Sequence, residues 1–229
     1  MNSLVQVHYR FHSKENRSPV ELVTEPILNL HRDWLNNEIT QCSKCESICG
    51  NKTIIRGNLQ EAKALVIGDS PGVEVLQNDE PCFPFEVEGV YDNLNDLLDE
   101  AGVLDSLVWC NVVNCHTYRN SNGVYQVARP PKSKEISNCS TFLFDLLNCM
   151  IMAKKLTCII TMGNLALNTL LPGTRISEVR GTEIYYRGIP LFVTHTPVGL
   201  TEKKLEEFNE DVDSFISFLR DDEEEDIDG

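Results

Sequence analysis

Four cysteines, Cys42 and Cys45 in a C-x2-C pair followed by Cys115 and Cys139, are the residues of this chain best suited to hold a metal. A thiolate quartet of this kind takes zinc or an iron–sulfur cluster. Between the pair and the later cysteines, Ala64-Leu-Val-Ile-Gly-Asp-Ser-Pro-Gly72 reads as a buried strand breaking into a turn. The turn sets the Asp69 carboxylate at the end of a strand, in the crevice where α/β sheets bind ligands. Three further apolar runs end in polar groups of their own: Asn111 to Cys115, Gly163-Asn164, and Thr194-His195-Thr196-Pro197.

The elements that must position these groups follow from periodicity. The runs Ala64–Ile67, Leu107–Val113, Thr157–Thr161 and Leu191–Thr194 are short, rich in β-branched residues and bounded by turn formers, as buried strands are. Helical spacing appears in Glu25–Asn37 (Ile27, Leu28, Leu30, Trp34), Asn93–Ala101, Ser137–Ala153, Leu165–Leu171 and Glu202–Leu219, the last through Leu205, Phe208, Val212, Phe215, Ile216 and Leu219. Strands alternating with helices imply a three-layer αβα fold around a mostly parallel central sheet. All four polar strand ends then gather along one sheet edge. Two stretches, Val73–Val90 and His116–Lys134, break the rhythm and read as long loops at that edge.

Composition narrows the class. At 229 residues and 41% hydrophobic content the chain suits one α/β core. No run approaches a membrane span, and Met1 to Arg10 is too polar for a secretory signal. Nine cysteines without a signal peptide read as reduced thiols and a metal site, so an intracellular protein, cytoplasmic or nucleoid-associated, is expected. A net charge of −15 argues against nonspecific attraction to nucleic acid. Much of it sits in residues 221–229, an acidic run expected as an unstructured tail behind a 1–40 extension with its helix and a 41–220 domain.

Over roughly residues 40–219 the chain resembles the family 4, iron–sulfur uracil-DNA glycosylases. The ordered set that carries the likeness is the C-x2-C pair, Arg56-Gly57, the Gly68-Asp-Ser-Pro-Gly72 turn in place of the family's Gly-Glu-Ala-Pro-Gly, and Pro84-Phe85. It continues with Asn111-Val-Val-Asn-Cys115, Arg129 before Pro131, Glu135-Ile136 with Cys139 and Phe142-Leu143, Gly163 with Ala166-Leu167, Ile176 with Arg180-Gly181, and the Thr-His-Thr-Pro turn.

The resemblance implies a uracil-DNA glycosylase-like fold, a [4Fe–4S] cluster on Cys42, Cys45, Cys115 and Cys139 with zinc as the alternative, and excision of uracil or a modified pyrimidine from DNA. It places Phe85 under the flipped base, Ser70 and Gly72 beside it, and Asn111 on its Watson–Crick edge, with Asn114 a competing reader. Asp69 becomes the carboxylate near the sugar, one methylene shorter than the family's Glu, with Glu74 a second candidate to position water. In the family the last turn reads His-Pro-Ser; here Thr196 fills the His slot and His195 stands one residue early. Either His195 still reaches the base, or Thr196 donates a neutral hydrogen bond, or catalysis is lost. Leu200 falls where the family inserts a wedge into the duplex, and Lys203, Lys204 and Arg129 are the expected phosphate contacts. The expected form is a monomer whose partners are DNA and a replication or repair protein. A glycosylase-like DNA or polymerase accessory protein, and a Rossmann-like nucleotide binder with structural zinc, are the competing readings.

Overall fold

The computed structural model describes residues 26–45, 52–71, 90–121 and 125–227. In chain order its elements are α1 (Pro26–Gln41), β1 (Ala64–Gly68), α2 (Val90–Glu100), β2 (Leu107–Asn111), β3 (Tyr118–Ser121), β4 (Tyr125–Ala128), α3 (Ser133–Met152), β5 (Cys158–Met162), α4 (Asn164–Leu170), α5 (Ile176–Val179), β6 (Tyr185–Tyr186), β7 (Ile189–Thr194) and α6 (Glu202–Ile227). Five strands form one sheet in the order β2-β1-β5-β7-β6. The first four are parallel and only the short β6 runs antiparallel. Every residue of β1, β2 and β5 is buried, which is why their sequences are largely apolar rather than alternating, with Thr161 in β5 and Asn111 at the end of β2 the polar residues.

Side chains of successive strand residues pack on opposite faces. Leu65, Ile67, Val108, Ile159 and Val193 meet Leu28, Leu35 and Ile39 of α1 and Phe142, Leu143, Leu146 and Leu147 of α3. Ala64, Val66, Leu107, Trp109, Ile160 and Met162 meet Leu94 and Leu98 of α2 and Phe208, Val212, Phe215 and Leu219 of α6. These are the three layers expected.

The open edge of β2 is covered by residues 52–56, which the sequence pattern left unassigned. Arg56 bridges Trp109 and Lys52 bridges Cys115, both antiparallel. Helix α1 holds this segment from outside, Asn36 giving Nδ2–H to Ile55 O at 2.9 Å and accepting Ile55 N–H on Oδ1 at 2.8 Å. Gly57 turns the chain away at φ 107°, where an added Cβ would lie 2.2 Å from Leu107 O, so only glycine fits.

Several expectations are corrected. Helix α1, expected as part of a 1–40 extension, packs into the core through Leu28, Leu35 and Ile39. Its Ile27, Leu30 and Trp34 face outward, as does Leu205 of α6. Helix α3 starts at Ser133, four residues early, because Glu135 accepts Lys132 N–H at 2.7 Å and fixes the first turn. The His116–Lys134 loop contains the β3–β4 hairpin. Helix α6 continues to Ile227 through most of the acidic run. An apolar stripe ending at Leu219 anchors the helix, and glutamates are good helix formers that propagate it.

Candidate active site and thiol pocket

Parallel register puts Gly68 beside Asn111 on one side and Met162 on the other, with Met162 beside Thr194. The residues that leave the sheet next, Asp69 and Gly163 among them, crowd one edge. Asp69 reaches across to α4 and accepts Ala166 N–H on Oδ1 at 2.7 Å. Gly163, the residue before α4, has φ 115°. A Cβ on it would lie 2.4 Å from Thr196 Oγ1 and 2.5 Å from Asp69 Oδ1, so Asp69 and Thr196 both close over a glycine that nothing larger could replace. Burial pushes the Asp69 carboxyl up to about 6, against the opposing pull of the Ala166 and Leu165 N–H groups.

Asn111 ends β2 almost wholly buried. Its Nδ2 donates to Thr53 Oγ1 at 3.3 Å. The Thr53 hydroxyl in turn reaches Asn114 O at 3.3 Å and Asn114 Oδ1 at 3.5 Å. Asn114, the competing reader, points the other way: its N–H and Nδ2 approach Cys139 Sγ at 3.2 Å and 3.6 Å. Asn111 is therefore the amide at the sheet edge, and Asn114 serves the sulfur.

Cys42, Cys45, Cys115 and Cys139 line a single small cavity with Lys44, Val113, Glu135 and Asn138. Three distant segments converge here: the chain leaving α1, the chain leaving β2, and α3. Asn138 Nδ2 adds a contact to Cys45 Sγ at 3.6 Å. Burial pushes the Cys115 thiol up to about 12, with the Cys139 sulfur raising it further and the nearby Lys52 lowering it. Cys139 is raised chiefly by burial too, against the pull of Asn114 N–H. The four cysteines, Cys139 buried and the others half-buried, with amide donors aimed at two of the sulfurs, would fit a metal cluster, whose positive charge would oppose those shifts. Among the described residues no group of three or more His, Cys, Asp or Glu side chains is set to hold a single metal ion. Cys110 and Cys158 are core residues and Cys149 is half-buried, while Cys49 and Cys82 lie outside the described residues.

His195 does not join Asp69. Its Nε2 pairs with Glu207 Oε2 of α6 at 2.9 Å. Glu207 also sits near Lys203, at 3.7 Å, and its carbonyl accepts Arg180 Nη2 at 2.9 Å, while Arg180 grips the buried Asp211. His195 is thus part of a brace between the last turn and α6. Leu200 is half-buried and packs toward the α2/α6 core, so the exposed apolar side chain of that loop is Val198. Lys203 and Lys204 are exposed. Arg129 forms a two-pronged pair with Glu135, at 2.7 Å and 2.5 Å, which holds the start of α3. Ser70 is half-buried in the turn after Asp69; Gly72, Glu74 and Phe85 lie outside the described residues.

Two site neighbours were missed in the sequence. Thr53, fully buried against Asn111, and His116, whose Nδ1 lies 3.2 Å from Pro71 O, are polar residues in stretches that carry no helical or strand period. Their signal was proximity to motifs: Thr53 precedes Arg56-Gly57 by three residues and His116 follows Cys115.

The protein is a three-layer α/β fold whose sheet edge carries a carboxylate just after one strand, an amide at the end of its neighbour and a glycine between carboxylate and hydroxyl. The model of the Uracil DNA glycosylase superfamily matches residues 55–220, and the chain belongs to that superfamily, whose members are DNA glycosylases. Among solved structures, wild-type Pedobacter heparinus SMUG2 is similar at a TM-score of 0.47 and 11% identity, over 83% of this chain and 97% of that one. That likeness is too distant to assign any residue. No curated protein matches the chain.

Proposed function

We propose that this protein excises uracil, or a closely related modified pyrimidine, from DNA by hydrolysing the N-glycosidic bond of a flipped nucleotide. The observation that carries the reading is the edge where Asp69, its carboxyl raised to about 6, and Thr196 meet over Gly163, one strand from Asn111. Superfamily membership supplies the substrate class.

In this reading a base leaves with the electron pair of its bond to C1′, and positive charge builds on the sugar. An ionised Asp69 opposes that charge and takes the proton of the water that adds to C1′. Asn111 offers N–H to uracil O4 and Oδ1 to its N3–H. Thr196, not His195, is the hydroxyl beside Asp69 that donates to the departing base. A neutral hydroxyl is a weaker donor than an imidazole placed for the task, so a slow enzyme is expected. Cys42, Cys45, Cys115 and Cys139 would hold a [4Fe–4S] cluster, with zinc the alternative, tying the start of the domain to β2 and α3. Such a group acts there as a staple.

Uracil-containing single- and double-stranded oligonucleotides incubated with purified protein should develop abasic sites. Absence of abasic sites, with selective binding of uracil DNA retained, would establish the accessory-protein reading instead, for which the weakened donor at Thr196 is the favouring observation. A brown preparation containing iron and sulfide distinguishes the cluster from colourless zinc.

A further inference from the structure

On the face of the sheet that carries α2 and α6, the helical layer stops before the last strand. Leu94 and Leu98 of α2 and Phe208, Val212, Phe215 and Leu219 of α6 pack on β1, β2, β5 and the Phe192 side chain of β7, and among the described residues none of β6 joins that core. Tyr185 of β6 stands opposite Pro190 in the antiparallel ladder, so it shares this face with Phe192. It is 50% exposed. Between α6 and this bare strip lies a cavity of about 340 Å³. Phe192 and Phe218, ring centroids 5.3 Å apart, line its floor, with Tyr185 and Pro190 on the strand side and Asp211 and Ser214 on α6. The volume is at the small end of ligand sites and has room for a large apolar side chain. None of Asp69, Asn111, Gly163 or Thr196 lines it.

The charge around the cavity has one sign. Glu183 and Asp211 supply carboxylates and Thr182 and Ser214 hydroxyls, and among the described residues no Lys or Arg lines it. Arg180 engages Asp211 from the side. Glu183 is exposed and accepts the Tyr185 hydroxyl, which sets a carboxylate and an aromatic ring together at the mouth. The exposed Asp213 continues the negative edge along α6. Carboxylates and aromatic faces both attract cations. The occupant this fits is apolar at its centre and positive at its ends. A nucleic acid is opposed, since its phosphates would meet carboxylates. A second copy of this chain is opposed too, because each copy brings a net charge of −15.

We propose that the groove between the β6–β7 strip and α6 is a docking site for a basic segment of a partner protein. The segment lays a large apolar side chain over Phe192 and Phe218, completing the layer that α6 leaves unfinished, and sets flanking Lys or Arg side chains against Glu183 and the acidic side of α6. Docking on this flank leaves the edge that holds Asp69 and Thr196 open to its own ligand.

Full-length protein is titrated with a fluorescein-labelled peptide, Lys-Lys-Leu-Phe-Lys-Lys, and with versions in which Ser-Ser replaces Leu-Phe or Glu replaces every Lys. The first should bind at least about 10-fold tighter than either of the others, and should weaken as salt rises. Ser214→Trp, at an exposed position of α6, fills the mouth of the cavity and should cut that binding by about 10-fold. Tyr185→Ala, which removes the half-exposed wall, should weaken it in the same direction, with the melting temperature of both variants near that of wild type. Equal binding of the Ser-Ser peptide would reduce the interaction to charge alone and overturn the proposal. Binding unchanged in both variants overturns it, as does failure of all three peptides to bind. A dimer in sedimentation that Ser214→Trp dissociates would give the groove to a second copy and overturn it equally.

Discussion

Asp69 and Glu207 are two carboxylates at the same sheet edge, and their surroundings push them in opposite directions. Glu207 is held below the usual carboxylate range, first by its hydrogen bond to His195 and then by Arg180 and Lys203. Asp69 has backbone N–H partners but, among the described residues, no such cationic neighbours offsetting its burial, and its carboxyl rises to about 6. A carboxylate whose charge is compensated strengthens the fold. One left uncompensated weakens it, and such a group persists where its charge is used. In the proposed function, the difference puts His195 and Glu207 in the scaffold and Asp69 in the chemistry.

The sharpest way to break this contrast is Asp69→Asn. Excision should fall by about 10²- to 10³-fold, in line with losing a group aimed at transition-state charge. Stability should move the other way. Because the folded value of about 6 lies above the ordinary 3.8, the folded protein binds more protons in that window, and stability is lost as pH rises through it. The loss is complete above pH 6 and amounts to at most roughly 3 kcal/mol. Asp69→Asn should therefore melt higher than wild type at pH 7.5 and no higher at pH 4. Loss of both activity and stability at pH 7.5 would make Asp69 a structural cap on α4. In wild type, excision should rise with pH through about 6 as the carboxylate forms, and a rate flat from pH 5 to 8 would exclude that role.

Gly163→Ala comes next. The φ of 115° is strained for any L side chain, costing about 1–3 kcal/mol, and the new Cβ must displace Thr196 or Asp69. Thermal melting should show that loss, and excision should fall beyond what the fraction unfolded explains. Thr196→Val should lower excision by about 10-fold with Thr196→Ser nearly neutral, as expected for a single neutral hydrogen bond.

How far this edge could be read beforehand depended on the range of each interaction. Strands β1, β2 and β5 were visible because double burial favours apolar runs, and the partly buried β7 through its short apolar run; their polar ends marked the carboxyl edge. The four cysteines could be singled out because thiols keep their chemical identity wherever the chain brings them, and they line one cavity. What escaped depends on partners that no local period reveals. Residues 52–56 have no strand pattern of their own; they are held by Asn36 on one side and Trp109 on the other. Arg129 looked like a phosphate contact because nothing local reveals that Glu135 is its partner. Leu200 looked like a wedge because its spacing in the loop could not show the core it leans on. His195 was the hardest case, since one residue of offset decides whether an imidazole faces the carboxylate or α6.

That offset sets the smallest expected effect. If His195 serves only as the link to Glu207, His195→Gln, which retains a donor, should change excision by no more than about 3-fold, the scale of a weak exposed contact. Glu207→Gln should behave alike, and the two changes combined should cost no more than either alone, because both break one bond. The stability Glu207 lends is present above its unfolded range and is lost as pH falls through its lowered folded value, so both variants should approach wild-type stability in acid. A 100-fold loss of excision in His195→Gln, with Glu207→Gln unaffected, would mean that the ring leaves α6 and reaches the base when DNA binds. The contrast between the two carboxylates would then describe only the free protein.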